Sequence, residues 1–306
     1  MKILITGASG FLGKNIIEKL SEESHTLILL SRKESLGKVA KNKSEIYFEE
    51  GDIVDLNSLR NVKKKVSEKV GKIDQVLHLA AFVPKYLKED NMPLAVRVNV
   101  GGTSNVLETF GADLVGMVYA STAEVYGMLR GEGTIDESFP TNPPSFYSAA
   151  KLEGEVLCEA YSQKKSVPIS ILRVATLYGP GDLIDRAVTN FIRTALLGKN
   201  IEIQNGKNVR DYLHVQDAAQ AFCKALEINK NGVFNIGSGS GTEIRKVAES
   251  IINIIDPKLM IAEKENSDKP SNFVLNIDKA RKLLGFSPKI IFPDRLEEEI
   301  EWIRKN

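Results

Sequence analysis

The sequence predicts an α/β fold: a doubly wound parallel sheet followed by a smaller C-terminal α/β lobe. Two observations carry this. Short apolar runs alternate with amphipathic stretches of helical period through the first part of the chain, the pattern of a parallel sheet covered on both faces. After Gly179-Pro180 the alternation loosens and short strands are scattered among helices. With 306 residues, 42% hydrophobic and 26% charged, the chain is long enough to bury a sizeable core in one large or two coupled domains.

The first strand is the apolar run Ile3–Ile5, followed by a Gly-rich turn and an amphipathic helix over Phe11–Leu20. β-like runs follow at Thr26–Leu30, Ile46–Phe48, Val76–Leu79, Leu114–Ala120 and Ile169–Arg173. Helical stretches at Asp55–Lys69 and Leu94–Phe110 separate them, and a further helix, Ser148–Tyr161, begins after Pro143-Pro144. Beyond Gly179-Pro180 come helices near Ala187–Leu197, Gln216–Glu227, Glu243–Ile255, Asp278–Leu284 and Arg295–Arg304, with strands at Ile201–Ile203 and Val233–Ile236. The expected division is a first unit over 1–180, rejoined by segments near 205–237, and a second lobe over 181–306. No repeat or long linker interrupts them, so they should pack around a cleft.

Charge and cysteine content narrow the partners. Lys and Arg total 41 against 40 Asp and Glu, so no net field recommends nucleic acid or an anionic membrane, and a small partner is expected. No run of about 18 apolar residues appears, and the opening apolar run is too short for a signal peptide, so a cytoplasmic location is expected. Cys158 and Cys223 each lie in an amphipathic stretch and read as buried thiols rather than a disulfide or a metal pair; no metal site is expected.

The chemistry begins in "ITGASGFLGKNI", where Gly7, Gly10 and Gly13 follow a strand and open a helix. Glycine permits the tight turn and close approach to a pyrophosphate, while the helix start offers unpaired N–H groups, so the motif reads as dinucleotide-binding and the first unit as Rossmann-type. In "PPSFYSAAKLEGE", Tyr147 and Lys151 fall on one helical face. A phenol of pKa about 10 is a poor base near neutrality, and a neighbouring cation favours its ionised form.

The GxxGxxG spacing resembles the short-chain dehydrogenase/reductase superfamily. "GDIVD" (51–55), "HLAA" (78–81), "NVGGT" (99–103), "STAEVYG" (121–127), "YSAAK" (147–151), "RDYLHVQD" (210–217) and "FNIGSG" (234–239) extend the resemblance along the chain. The last two and the C-terminal lobe resemble the extended branch, the NAD(P)-dependent nucleotide-sugar epimerases, dehydratases and reductases.

The resemblance implies that Tyr147 moves the sugar hydroxyl proton while hydride passes to or from nicotinamide. Lys151 supports the phenol and the nicotinamide ribose, and Thr122 orients the reacting oxygen. Glu124 stands where some relatives use an acid. It implies a cofactor site formed by Gly7, Gly10, Phe11, Leu12, Gly13, Asp52, Ile53, Leu79, Ala80, Ala81, Asn99, Tyr147 and Lys151. Asp52 would meet the adenine amino group. Asn99 resembles a brace of the active-site helices, and His78 is assigned no chemistry. In the second, substrate-binding lobe Arg210 aligns with the arginine that grips the nucleotide diphosphate, and Thr176 and Lys269 are further substrate contacts.

Ser31 stands where NAD-specific relatives place an acid, and Arg32 and Lys33 follow, which favours NADP over NAD. Three departures limit transfer: Thr176 replaces a frequent Asn, Gly181 a frequent Arg, and Ala123 the Asp of sugar dehydratases. 4-Epimerase and 4-keto reductase therefore stand together ahead of 4,6-dehydratase. A non-catalytic NAD(P)-binding protein on the same fold is the reading from another class, and intact Thr122, Tyr147 and Lys151 argue against it. The substrate expected is a nucleotide-diphosphate sugar, and the resemblance implies a homodimer formed through the helices Leu94–Phe110 and Ser148–Tyr161.

Overall fold

The computed structural model describes residues 1–32, 43–85, 89–127, 133–264 and 270–306. Seven strands form its central sheet: β1 Lys2–Thr6, β2 Thr26–Ser31, β3 Glu45–Glu50, β4 Gln75–His78, β5 Gly116–Thr122, β6 Ile169–Val174 and β10 Gly232–Ile236. All pair in parallel, in the order β10-β6-β5-β4-β1-β2-β3. The chain runs outward from β1 to β3 and then returns to the other side of β1. The crevice at the carboxyl ends of β1 and β4 is thus the switch point where open α/β sheets bind ligands.

Helices α1 Phe11–Ser21, α2 Leu56–Lys69, α4 Gly102–Phe110, α5 Phe146–Lys165 and α7 Val215–Ile228 cover the two faces. The pleat of β1 sends Ile3 and Ile5 to one face, where they meet Ile16, Ile17 and Leu20 of α1 and Phe222 and Leu226 of α7. Leu4 faces the other side, with Leu59 and Val62 of α2, Val106 of α4 and Cys158 of α5. Because both faces are covered at the middle of the sheet, β1 and β2 are continuous apolar runs, whereas the edge strand β3 carries three glutamates and is mostly open.

The second lobe surrounds β9 Val209–His214, which pairs with β7 Thr176–Tyr178, β11 Gly241–Glu243 and β13 Asn272–Phe273. β8 Ile201–Gln204 pairs with β12 Ile261–Lys264. Helices α6 Ala187–Leu196, α8 Ile244–Ile255 and α10 Leu296–Lys305 enclose a third core that contains Ile192, Val247, Ile251 and Ile300, while α9 Asp278–Leu284 packs on the main core through Ala280 and Leu284.

Three expectations are corrected. The strand placed at Leu114–Ala120 begins at Gly116 and ends at Thr122, because Leu114 closes a 3-10 turn by donating to the Gly111 carbonyl. The single helix expected over Leu94–Phe110 is α3 Met92–Ala95, a π-helical turn over Val96–Gly101, and then α4. Strands β7, β9 and β11–β13 were not expected from the sequence; all but β9 have four residues or fewer, and each is defined by pairing with a distant segment.

Candidate active site

β1 delivers the chain into the Gly-rich turn at the switch point. Gly7 has φ +71°, and a Cβ there would come 2.6 Å from the Ala80 nitrogen. A Cβ on Gly13 would come 2.5 Å from the Gly7 carbonyl oxygen. The turn is closed by the Gly10 N–H donating to the Gly7 carbonyl at 3.0 Å. Gly10 caps α1 without a side-chain acceptor, so the first-turn donors face the crevice. A dinucleotide pyrophosphate fits this arrangement, and a side chain on Gly7 or Gly13 would strike the backbone of Leu79–Ala80 or of the turn itself and break it.

Behind the turn, His78 is wired into the sheet. The Thr6 hydroxyl accepts from the Ala80 N–H at 3.1 Å and lies 2.7 Å from His78 Nδ1, to which it donates when the neutral ring carries its proton on Nε2. On the other side the Thr103 hydroxyl donates to the Asn99 carbonyl at 2.6 Å and accepts from His78 Nε2 at 3.1 Å. These roles require a neutral ring with its proton on Nε2. Burial and the Lys151 ammonium agree, lowering its pKa to about 3.

The remaining expected cofactor residues divide. Leu79 and Ala80 back directly onto Gly7, and Arg32 is exposed at the end of β2 beside Ser31. Asp52 folds one carboxylate oxygen onto the Val54 N–H at 3.1 Å. Ile53 is buried and packs against Gly102 of α4. Asn99 is a brace, as its side chain accepts from the Phe82 N–H at 2.7 Å and donates to the Phe82 carbonyl at 3.0 Å. Lys33 lies outside the described residues, as does Lys269.

Tyr147 and Lys151 project from the first turns of α5, which Ser145 caps by accepting from the Ser148 N–H at 3.0 Å. Burial and the Glu124 carboxylate raise the phenol to about 12, while Arg186 and a hydrogen bond with Thr122 oppose that rise. Lys151 is buried, and burial lowers its ammonium to about 8. Its Nζ lies 4.0 Å from the centre of the Tyr119 ring on β5. The Lys151 cation thus lies against the Tyr119 ring, and in the ligand-free protein burial of the Tyr147 phenol works against its ionisation.

Glu124 follows β5 directly, and the Thr122 hydroxyl accepts its N–H at 3.2 Å. Crowding by the surrounding protein raises its carboxyl, as does Asp90, against the pull of Arg186. In the second lobe Arg210 donates to the Val209 carbonyl and the Ser271 hydroxyl, each at 2.8 Å. Thr176 opens β7 opposite Tyr212. The adjacent Asp211 is wholly structural, accepting from the Ser238, Gly239 and Leu275 N–H groups at 2.7–3.2 Å.

Residues 3–237 match the model of the NAD dependent epimerase/dehydratase family. The chain belongs to this family. It is similar to the mouse dTDP-D-glucose 4,6-dehydratase, with 28% identity over 100% of this chain and 89% of that protein. Among solved structures it resembles the Thermotoga maritima UDP-glucose 4-epimerase with UDP-glucose, at a TM-score of 0.86 and 27% identity, covering 100% of this chain and 99% of that one. It also resembles the Bacillus cereus UDP-glucuronic acid 4-epimerase in complex with NAD, at 0.84 and 29% identity with coverage of 100% and 99%.

The resemblance to the extended nucleotide-sugar branch and the α/β fold are thereby established. Two residues of this epimerase/dehydratase site escaped the sequence reading. Arg186 precedes α6 and acts on both Glu124 and Tyr147. Asp90 accepts from the Phe146 and Tyr147 N–H groups at 2.7 and 3.0 Å. Neither belongs to a local motif; "EDNMP" signals only the start of α3, which Asn91 caps. Among the described residues no helix is long and apolar enough to cross a membrane.

Proposed function

We propose that the chain is an NAD(P)-dependent nucleotide-sugar epimerase or oxidoreductase that moves hydride at C4 of a nucleoside diphosphate hexose, with Tyr147 as acid and base. The observation that carries this reading is the convergence of Thr122 at the end of β5, Tyr147 in the first turn of α5 and buried Lys151 one turn further on, at the carboxyl end of the sheet that also carries the Gly-rich turn. The UDP-glucose held by the Thermotoga epimerase and the NAD held by the Bacillus epimerase support it.

When bound, the oxidised nicotinamide supplies a hydride acceptor and a positive charge. The amides around Gly7, Gly10 and Gly13 hold the pyrophosphate, with Phe11, Leu12, Leu79, Ala80 and Ala81 beside them. Asp52 takes the adenine end. Lys151 would hold the nicotinamide ribose. Thr122 fixes the sugar oxygen against the phenol, and Tyr147 removes its proton and later returns it. Burial and Glu124 hold the phenol up, and a cation brought beside it by the ligands would favour its ionised form. Glu124 and Arg186 flank the sugar, and Arg210, with Thr176 and Lys269, takes the diphosphate.

The test is Tyr147→Phe, assayed on the nucleotide sugar found by screening UDP-, dTDP-, GDP- and CDP-sugars. Turnover is expected to fall about 10²–10⁴-fold with cofactor affinity unchanged. Wild-type turnover in the Phe variant would remove the assignment.

A second reading is an NADPH-dependent reductase of a nucleotide 4-keto sugar. It is favoured by Ser31 and exposed Arg32 at the end of β2, which suit a 2′-phosphate better than an acid would. NADP should bind more tightly than NAD, and Arg32→Ala should weaken NADP alone. Tighter NAD binding in the wild type would defeat this branch. Dehydration at C5–C6 is disfavoured because buried Ala123 stands where sugar dehydratases carry an acid.

A further inference from the structure

The first turn of α5 carries the phenol of the proposed reaction, and its leading donors are not capped locally. Ser145 accepts only from Ser148 among them, at 3.0 Å. The N–H groups of Phe146 and Tyr147 instead reach the two carboxylate oxygens of Asp90, at 2.7 and 3.0 Å. Asp90 lies 57 residues before Tyr147, at the end of the segment that joins β4 to α3.

That segment is tied to every side of the site. Asn99 grips both backbone atoms of Phe82 at its start. The Lys85 carbonyl accepts from the Asp185 N–H at 3.2 Å, next to Arg186 in the second lobe. Asp90 closes the segment onto the catalytic helix. The charged groups that face Glu124 are Arg186 and Asp90, and those that face Tyr147 are Glu124 and Arg186.

We propose that Asp90 is a positioning residue for proton transfer: its carboxylate clamps the first turn of α5 and so fixes where that turn presents the Tyr147 hydroxyl relative to Thr122 at the end of β5. Its negative charge also opposes ionisation of Glu124, against the attraction of Arg186. The role rests on the assignment of Tyr147 as acid and base.

Three variants test it. Asp90→Ala removes both acceptors, Asp90→Asn keeps one acceptor oxygen without the charge, and Ser145→Ala removes only the acceptor of Ser148. Asp90→Ala should lower kcat about ten- to a hundredfold with KM for the nucleotide sugar changed less than about threefold, since a small misplacement of a reacting group is that costly. Asp90→Asn should restore most of the lost kcat. Ser145→Ala should lower Tm while leaving kcat within about twofold, because its cap does not hold the phenol.

Wild-type kcat in Asp90→Ala, or equal losses in Asp90→Ala and Ser145→Ala at matched Tm, would overturn the proposal. A ligand-free measurement separates it from the assignment of function. In protein labelled at the tyrosine ring carbons, the Tyr147 phenol resonance should shift in Asp90→Ala and stay in place in Ser145→Ala. If no nucleotide sugar is turned over by the wild type, the functional reading fails, and an unmoved resonance in Asp90→Ala still rejects the clamp.

Discussion

At the scale of single residues, the site was legible where the constraint is local. Gly7 and Gly13 answer to a backbone angle and to missing room for a Cβ, and both demands follow from a strand, a turn and a helix in succession. The behaviour of Lys151 was not legible, because helical spacing gives the face a side chain leaves from but not where its tip ends. Here the tip lies on Tyr119, 4.0 Å from the ring centre, and burial lowers the ammonium to about 8. The sign of its effect on stability follows. Below pH 8 the folded and unfolded states are both protonated, and the folded state bears the full cost of a buried charge. Between about 8 and the ordinary 10.5 the unfolded state alone keeps the proton, so stability rises with pH through that window. Lys151→Met should therefore stabilise the ligand-free protein by about 1–3 kcal/mol at pH 7. The gain should fade towards pH 10.5 while turnover is lost throughout. Thermal unfolding of both proteins across that range checks it, and a less stable Met variant at pH 7 would contradict it.

At the scale of elements, the long helices and central strands were readable from period and run length, and α9 was placed with both ends correct. α5 starts at Phe146 rather than Ser148, because the reciprocal pair Ser145 and Ser148 starts the helix as soon as the prolines end. The π-helical turn over Val96–Gly101 was unreadable, since one extra residue in a turn leaves the apolar period nearly unchanged. α5 is joined to the sheet by a buried pair: Arg173 of β6 donates to Glu155 of α5 at 2.7 Å, and the Ser121 hydroxyl donates to the same carboxylate. Arg173 also lies 4.7 Å over the Tyr126 ring. Removing one partner leaves the other charge buried and alone, so Glu155→Ala should cost about 3–5 kcal/mol, with the double change Glu155→Met, Arg173→Met recovering much of it. Urea midpoints of the three proteins decide this; a double variant no better than Glu155→Ala would show that the pair is not the cause.

At the scale of the whole molecule, apolar side chains are left in the open on neighbouring helical surfaces: Val156 of α5 is 57% exposed and Val96, at the head of the π-helical turn, 45%, with Phe146 of α5 and Met92 of α3 exposed as well. We propose that these surfaces pair two copies of the chain about a two-fold axis. Light scattering at micromolar concentration should give about twice the chain mass, and Val156→Lys about one chain mass with the fold retained; a wild-type monomer would exclude the pairing. The architecture itself was readable as a succession of strands and helices, whereas Asp90 and Arg186 were not, because their partners lie on other segments. The placement of β10 has a consequence for how the protein is made. A ribosome releases β6 well before β10 and α7, which respectively pair with that edge strand and cover Ile16, Ile17 and Leu20. During synthesis at about 5–20 residues per second, the nascent chain therefore spends on the order of several seconds with an unpaired strand edge and a bare helix face. The sheet edge stays open until residue 236, and the main core waits longer still for Ala280, Leu284 and Phe286, so a chaperone that shields β6 over that interval should raise the yield of folded protein.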